Sequence, residues 1–348
     1  MAYTTINKSS LHQNTILYTD TGAVRTLTGV GFQPDFTWIK TRNHTNSHCL
    51  FDSVRGANKV IRSNNVSVQA TTTDTLTAFT SDGFSLGADA SGYGVNYDNK
   101  NEIAWNWKMG TTSGITTNGS TTITPLGYSF NATAGQSVIH YNGNQTAGDK
   151  VPHGLGVKPD LIIIKDLDAE NSWQVQHSSL GATKYLSLDS QEAQNTNTNR
   201  WNDTEPDSVN FTLGSSAAVN GNDNNYIAYC FANKIGYSKM GSYVGNGNTN
   251  GVFIYTGFKP SYVIFKGATT AYGWYIMDNA RDTYNIVDDY LYAQATDVAG
   301  THGFMDFVSN GFKIRESGVG SNTNGETYVY IAFGQTIVGS NNTPATAR

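Results

Sequence analysis

The chain has 348 residues, of which 38% are hydrophobic and 14% charged, and its 22 Lys and Arg against 27 Asp and Glu give a net charge of −5. That length exceeds one small core and predicts two or three domains. The composition excludes a charge-rich disordered chain, and without a basic cluster the electrostatic footprint of a nucleic-acid binder is missing.

The N-terminus, Met1 to Thr5, lacks the basic start and apolar core of a secretion signal. Apolar runs such as Leu161 to Ile164 fall far short of the roughly 20 residues a membrane helix needs, so assembly in a cytoplasm without membrane insertion is the expectation. Cys49 and Cys230 are predicted to be buried free thiols, because a disulfide scaffold would carry more cysteines. Abundant Gly, Asn, Thr and Tyr suit strands joined by tight turns.

In chain order, Thr15–Tyr18 reads as a first strand. Next comes a Gly-x-x-Pro turn feeding a β-rich run that ends in Lys, with Gly31, Pro34 and Lys40 at its fixed points. The pattern returns as Gly156, Pro159 and Lys165, and again as Gly257, Pro260 and Lys266. Proline at a strand entrance sacrifices no ladder bond. Trp173 and Trp274 each lie eight positions after their lysine, where the first copy has His48 beside Cys49. Ser81-Asp82-Gly83-Phe84 and Ser309-Asn310-Gly311-Phe312, with Val209–Gly214 as a weaker echo, read as hairpins whose Asp-Gly or Asn-Gly supplies a positive φ. Closing strands are predicted at Ile103-Ala104-Trp105, Ile227-Ala228-Tyr229 and Ile331-Ala332-Phe333. Their isoleucines follow the three lysines by 63, 62 and 65 residues.

This triplication predicts an all-β protein of three tandem β-sandwich modules of jelly-roll or lectin-like type, with little or no helix. The modules span residues 1–112, 113–240 (with a leading linker strand within Ile123 to Phe130) and 241–348.

Candidate chemistry is sparse. Carboxylates for glycoside hydrolysis include Asp278, Asp288 and Asp289, or Asp166, Asp168 and Glu170, but they read as loop carboxylates. Asp52 and Asp278 correspond between copies, whereas the second copy offers Gln176 or His177. His44, His48 and Cys49 are close in sequence but lack the helix that metal-ligand spacing requires. Asp166–Asn171 has alternating oxygen ligands but lacks the glycine of a calcium loop, and Asn220–Asn225, with Asp223, is another oxygen-rich loop that reads as an ordinary turn. No catalytic residue, metal or cofactor is therefore assigned. Trp38, Trp105, Trp107, Trp173 and Trp274 read as core. Trp201, in the Asn/Thr-rich loop with Asn195, Asn197 and Asn199, has no counterpart in the other copies and is the candidate surface contact.

The motifs Met1-Ala2-Tyr3-Thr4-Thr5-Ile6, Gly31–Lys40, Phe51-Asp52-Ser53-Val54-Arg55-Gly56, Tyr237–Tyr243 and Pro344–Arg348 resemble a family of virion structural proteins, tail-fibre-like, from tailed phages of marine bacteria. The resemblance implies a non-catalytic virion component assembled in the host cytoplasm, with other virion proteins as partners. A tail fibre or adhesin that contacts a host surface glycan is the leading expectation, and a capsid decoration protein the alternative. A homotrimer is expected from the symmetry common to both.

Overall fold

The described residues of this computed structural model, 4–318 and 320–336, form antiparallel strands, with single helical turns at Ser9–Leu11, Thr198–Trp201 and Ala217–Asn220. Of the motifs of the resemblance, Pro344–Arg348 and the first three residues of Met1–Ile6 lie outside the described residues.

Each Gly-x-x-Pro turn leads into a central strand, at Phe36–Thr41, Leu161–Asp166 and Phe258–Gly267. The turn glycines have φ of +87°, +69° and +85°, a region that disfavours any residue with a Cβ. Pro34 and Pro159 precede their strands. Pro260 instead lies inside one, at a bulge between Pro260 and Tyr262, where proline removes no regular ladder bond.

Around each central strand the sheet has one order. An opening strand (Gln13–Thr19, Gln136–Asn142 or Ser238–Val244) pairs with a closing strand (Asn101–Trp107, Asn225–Phe231 or Thr327–Thr336). The closing strand pairs with the central strand, and the central strand with a fourth (Cys49–Asp52, Gln174–His177 or Trp274–Asp278). A strand at Gly127–Asn131 extends the second sheet, inside the predicted linker region.

The ladders correct one alignment. Lys40 is opposite Ile103, Lys165 opposite Ile227, and Lys266 opposite Val329, not Ile331. The true separations are thus 63, 62 and 63 residues. A slip of two residues keeps every side chain on its own face, so the hydrophobic pattern cannot reveal it.

The central strands are buried on both faces. One face of each of the three sheets enters a single shared core that includes Trp38, Trp105, Trp173, Trp274, Tyr229 and Ile331. Trp107, Phe231 and Phe333 occupy the same ladder position, opposite Phe36, Leu161 and Tyr262. Their rings also touch one another, with centroids 6.3, 5.8 and 5.6 Å apart. Three equivalent side chains in mutual contact mark a pseudo-threefold axis. The sheets are therefore arranged around an axis and share a core, unlike free-standing modules strung in line. An apolar void of about 30 Å³ remains among these side chains.

The other face of each sheet covers a smaller core of its own. Outer strands close these cores, with Arg25–Leu27 against Gly83–Leu86, Lys150–Pro152 against Asn210–Thr212, and Phe253–Tyr255 against Gly311–Ile314. The hairpin turns are Ser81-Asp82 and Ser309-Asn310, since Thr80 pairs with Gly83 and Val308 with Gly311. The glycines serve a close approach. A Cβ on Gly83 would sit 2.1 Å from the Leu27 carbonyl oxygen, and one on Gly311 2.0 Å from that of Ile254.

Candidate functional site

The polar chemistry of the chain is concentrated where neighbouring sheets meet. Lys40, Lys165 and Lys266 are fully buried. Each ammonium donates to the carbonyl of the next residue, to a carbonyl of its own following loop, and to one carbonyl across a seam. For Lys165 these are Asp166 (2.8 Å), Asn171 (3.0 Å) and Val66 (3.0 Å). For Lys266 they are Gly267 (2.9 Å), Thr270 (3.4 Å) and Gln191 (3.0 Å). For Lys40 they are Thr41 (2.7 Å), His44 (3.4 Å) and Thr296 (3.3 Å). Burial draws Lys40 and Lys165 down to about 8 and Lys266 to about 7. Against that pull, three carbonyl acceptors match the three hydrogens of an ammonium, which a neutral amine could not supply.

A second bond completes each clasp. The N–H groups of Gln69, Gln194 and Ala299 donate to the carbonyls of Leu167, Ala268 and Arg42, each two residues beyond a lysine. Segment two thus holds segment one, segment three holds segment two, and segment one closes on segment three.

Trp173 and Trp274 add indole bonds across the first two seams, to the carbonyls of Arg62 (2.8 Å) and Ser187 (2.8 Å). In the first copy His48 occupies that place and Trp38 moves onto the central strand, donating to His48 Nδ1 at 2.8 Å. Burial, reinforced by Lys40, holds His48 well below the ordinary histidine range, so it is neutral.

Asp52, His177 and Asp278 share one ladder position. Asp52 accepts from Tyr229 Oη at 2.8 Å and pairs with buried Arg55; Asp278 accepts from Trp105 Nε1 at 3.2 Å and pairs with buried Arg281. Tyr229 and Trp105 are equivalent to Ile331, which offers no donor. There the acceptor is replaced by His177, whose Nε2 bonds the Tyr330 carbonyl (3.2 Å). Asp52 and Asp278 are thus engaged in holding the sheets together.

Two further triplets escaped the sequence reading. Tyr18, Tyr141 and Tyr243 donate to the carbonyls of Val95, Val219 and Ser321. Asn96, Asn220 and Asn322 are fully buried, and each amide donates to two carbonyls and accepts one N–H. The signal was a Val-Asn or Ser-Asn pair shortly before each closing strand, obscured by unlike flanking residues. Next to this clip the first copy departs from the others. Asp20 and Glu102 stand where the other copies have Gly143 with Tyr226 and Gly245 with Tyr328. Their buried carboxyls face one another, and burial lifts Asp20 to about 7 and Glu102 well above its ordinary range.

Trp201 is not a surface contact. It is fully buried, its Nε1 donates to the Lys184 carbonyl at 3.1 Å, and it packs in the second segment's own core. Asn197 caps the single turn Thr198–Trp201 by accepting the Asn199 N–H, which turns the indole inward; Asn195 and Asn199 are exposed. Asp166 receives N–H groups of Asp168 and Ala169 and the side chains of Asn171, Asn224 and Tyr226, so its oxygens face donors and leave no room for calcium. His44 is exposed while His48 and Cys49 are buried, and no shared metal geometry results. Cys49 and Cys230 are free and buried, as expected. Asp282, Asp288 and Asp289 have carboxylate oxygens within 4.8 Å of one another, and Asp282 takes the N–H groups of Asp288 and Asp289.

Two polar grooves open at the seam between the first and third segments. One, about 330 Å³, includes Lys8, Gln13, Asn14, Ser261 and Gln335; the other, about 360 Å³, includes Asn46, Arg62, Tyr93 and Thr296. Among the described residues no helix is long and apolar enough to cross a membrane.

Fold and seams together define an all-β protein whose sheets surround one core and whose buried polar groups clasp those sheets together. The chain belongs to DUF7483, a domain family of unknown function, matched over residues 8–336. No curated protein and no solved structure matches it.

Proposed function

We propose that this protein is a non-catalytic structural component of a phage particle, of the tail-fibre or adhesin type, assembled in the host cytoplasm and presenting its surface to the host envelope. The observation that carries this reading is where the reactive groups are spent. The three lysines, the equivalent Asp52, His177 and Asp278, and the tryptophans of the shared core all serve to hold three equivalent sheets in a closed ring, as a durable particle protein requires. The three sheets read as copies of one unit, so a single chain supplies a pseudo-trimer.

A second reading, capsid decoration, is favoured by the same axis, because a pseudo-threefold body fits the local threefold symmetry of a shell. Antibody labelling of intact particles separates the two. Signal confined to the tail supports the fibre reading, and signal over the whole head overturns it. Light scattering should give the mass of one chain, because the threefold relation is already internal; a stable trimer would show that rings associate further. Release of reducing sugar from host polysaccharide would overturn the non-catalytic reading.

A further inference from the structure

The groove of about 360 Å³ at the seam between the first and third segments contains a cation with no counter-charge. Arg62 stacks over the Tyr93 ring, 4.8 Å from its centroid, and makes no ion pair among the described residues. Arg55 and Arg281, by contrast, are buried against Asp52 and Asp278. No carboxylate lines the groove itself; Asp74 stands behind Ser91, whose N–H and hydroxyl hold it, so Arg62 is the one charged group among the lining residues.

The walls are already fixed. Asn46 donates to Thr41 Oγ1 at 3.0 Å and meets His44 Nδ1 at 3.2 Å. Asn64 donates to Ser47 Oγ at 3.3 Å, which leaves the Ser47 hydroxyl hydrogen for a ligand. Ser91 gives both its N–H (2.8 Å) and its hydroxyl (2.6 Å) to Asp74, so its oxygen is free to accept. Such anchoring lowers the ordering cost of binding. Thr296 adds a wall from the third segment, so the groove exists only when the ring is closed.

A planar guanidinium that can bind a carboxylate or sulfate through two N–H groups, beside hydroxyls that donate and accept, matches an anionic, hydroxylated ligand. We propose that this groove binds an acidic saccharide unit, with its carboxylate or sulfate on Arg62 and its hydroxyls on Ser47, Ser91 and Thr296. The proposal rests on the host-surface reading above and names the class of glycan that would be met.

Calorimetric titration of the full chain with trigalacturonate, a sulfated disaccharide, maltotriose and inorganic sulfate tests it. Saturable binding of an acidic saccharide is expected, with none of maltotriose. Affinity should fall about tenfold or more in Arg62→Gln and also at high salt, with Arg62→Lys intermediate. Thermal melting of the variants verifies that the ring still folds. Absence of binding, or binding that Arg62→Gln leaves intact, overturns the proposal; sulfate binding as tightly as the saccharides reduces the groove to a plain anion site and overturns it too. Adsorption of labelled protein to the bacteria that the particle infects separates this groove from the broader reading. Adsorption unchanged in Arg62→Gln defeats the groove alone, whereas saccharide binding in solution without adsorption of either protein defeats the host-contact reading alone.

Discussion

Two of the three seams join segments that the chain itself connects, and the third joins its first segment to its last. All three carry the lysine clasp and the paired main-chain bond. The closing seam differs in detail. Its lysine reaches the neighbouring carbonyl at 3.3 Å, where the other two reach theirs at 3.0 Å. It has His48 where the others have a tryptophan bonded across the seam, and both polar grooves open beside it. A peptide connection keeps two segments close without help from side chains. Where that connection is missing, the clasp, the apolar core and side-chain bonds such as Trp105 to Asp278 and Ser63 to the Ala293 carbonyl must oppose separation, and the remaining space is polar. The difference teaches that repeated geometry need not mean equal rigidity.

The largest expected effect comes from removing a lysine. Replacing Lys165 or Lys266 with Met keeps the apolar stem but leaves three carbonyls without their donor. At about 1 kcal/mol or more for each buried group left unpaired, a loss of roughly 3 kcal/mol or more is expected in denaturant unfolding. Lys40→Met should cost less, because two of its three bonds are long. Proteolysis under native conditions should, however, increase most in Lys40→Met, because that variant loosens the seam without a chain connection. Equal costs and equal proteolysis in all three variants would erase the distinction between the seams.

The lysines also show how much was legible. The Gly-x-x-Pro turn, the ending lysine and the eight-residue step to Trp173 and Trp274 stood out because local backbone rules repeat them. The role of the lysines did not, since their partners are main-chain carbonyls that any residue supplies. Ile331 misled for a related reason, because period-two alternation is unchanged by a slip of two. Trp201 looked superficial because Asn and Thr surround it, yet Asn197 serves as a helix cap there. Asn96, Asn220 and Asn322 repeat a contact whose other neighbours in sequence differ, which hides the short Val-Asn or Ser-Asn signal before each closing strand. The two grooves collect residues from positions 8 to 335 and 45 to 296, and only the closed ring brings them together.

Acid should sharpen the comparison by a smaller amount. His177 sits at the second seam and His153 in the second segment, and burial holds both at about 4. An unfolded chain takes up their protons near 6.5, so their share of stability is complete above that pH and is lost as pH falls from 6.5 to 4. Each can contribute roughly 3 kcal/mol over that window. Asp20 works in the opposite sense. Its folded value of about 7 lies above the ordinary 3.8, so its contribution is complete below 3.8 and is lost as pH rises to 7. Urea midpoints measured from pH 4 to 7 should show His177→Gln flattening the acid loss and Asp20→Asn steepening it. If His177→Gln left the profile unchanged, the second seam would not be the acid-sensitive one.

The gentlest probe perturbs nothing and reads the seams through the two cysteines. Burial pushes the Cys230 thiol up to about 12 and the Cys49 thiol higher still, so neither reacts as a thiolate in the closed protein. Cys230 lies in the core of the second segment, away from the closing seam. Cys49 lies in the core of the first, with its Sγ 3.5 Å from the carbonyl of Tyr93, directly behind the groove. Labelling of each thiol therefore reports the free energy of the opening that exposes it. If the closing seam opens more readily than the connected ones, Cys49 should be modified faster than Cys230 in native buffer, and Lys40→Met should accelerate Cys49 alone. Equal rates that change together would mean the ring opens only by global unfolding, and the closing seam would then be as firm as its neighbours.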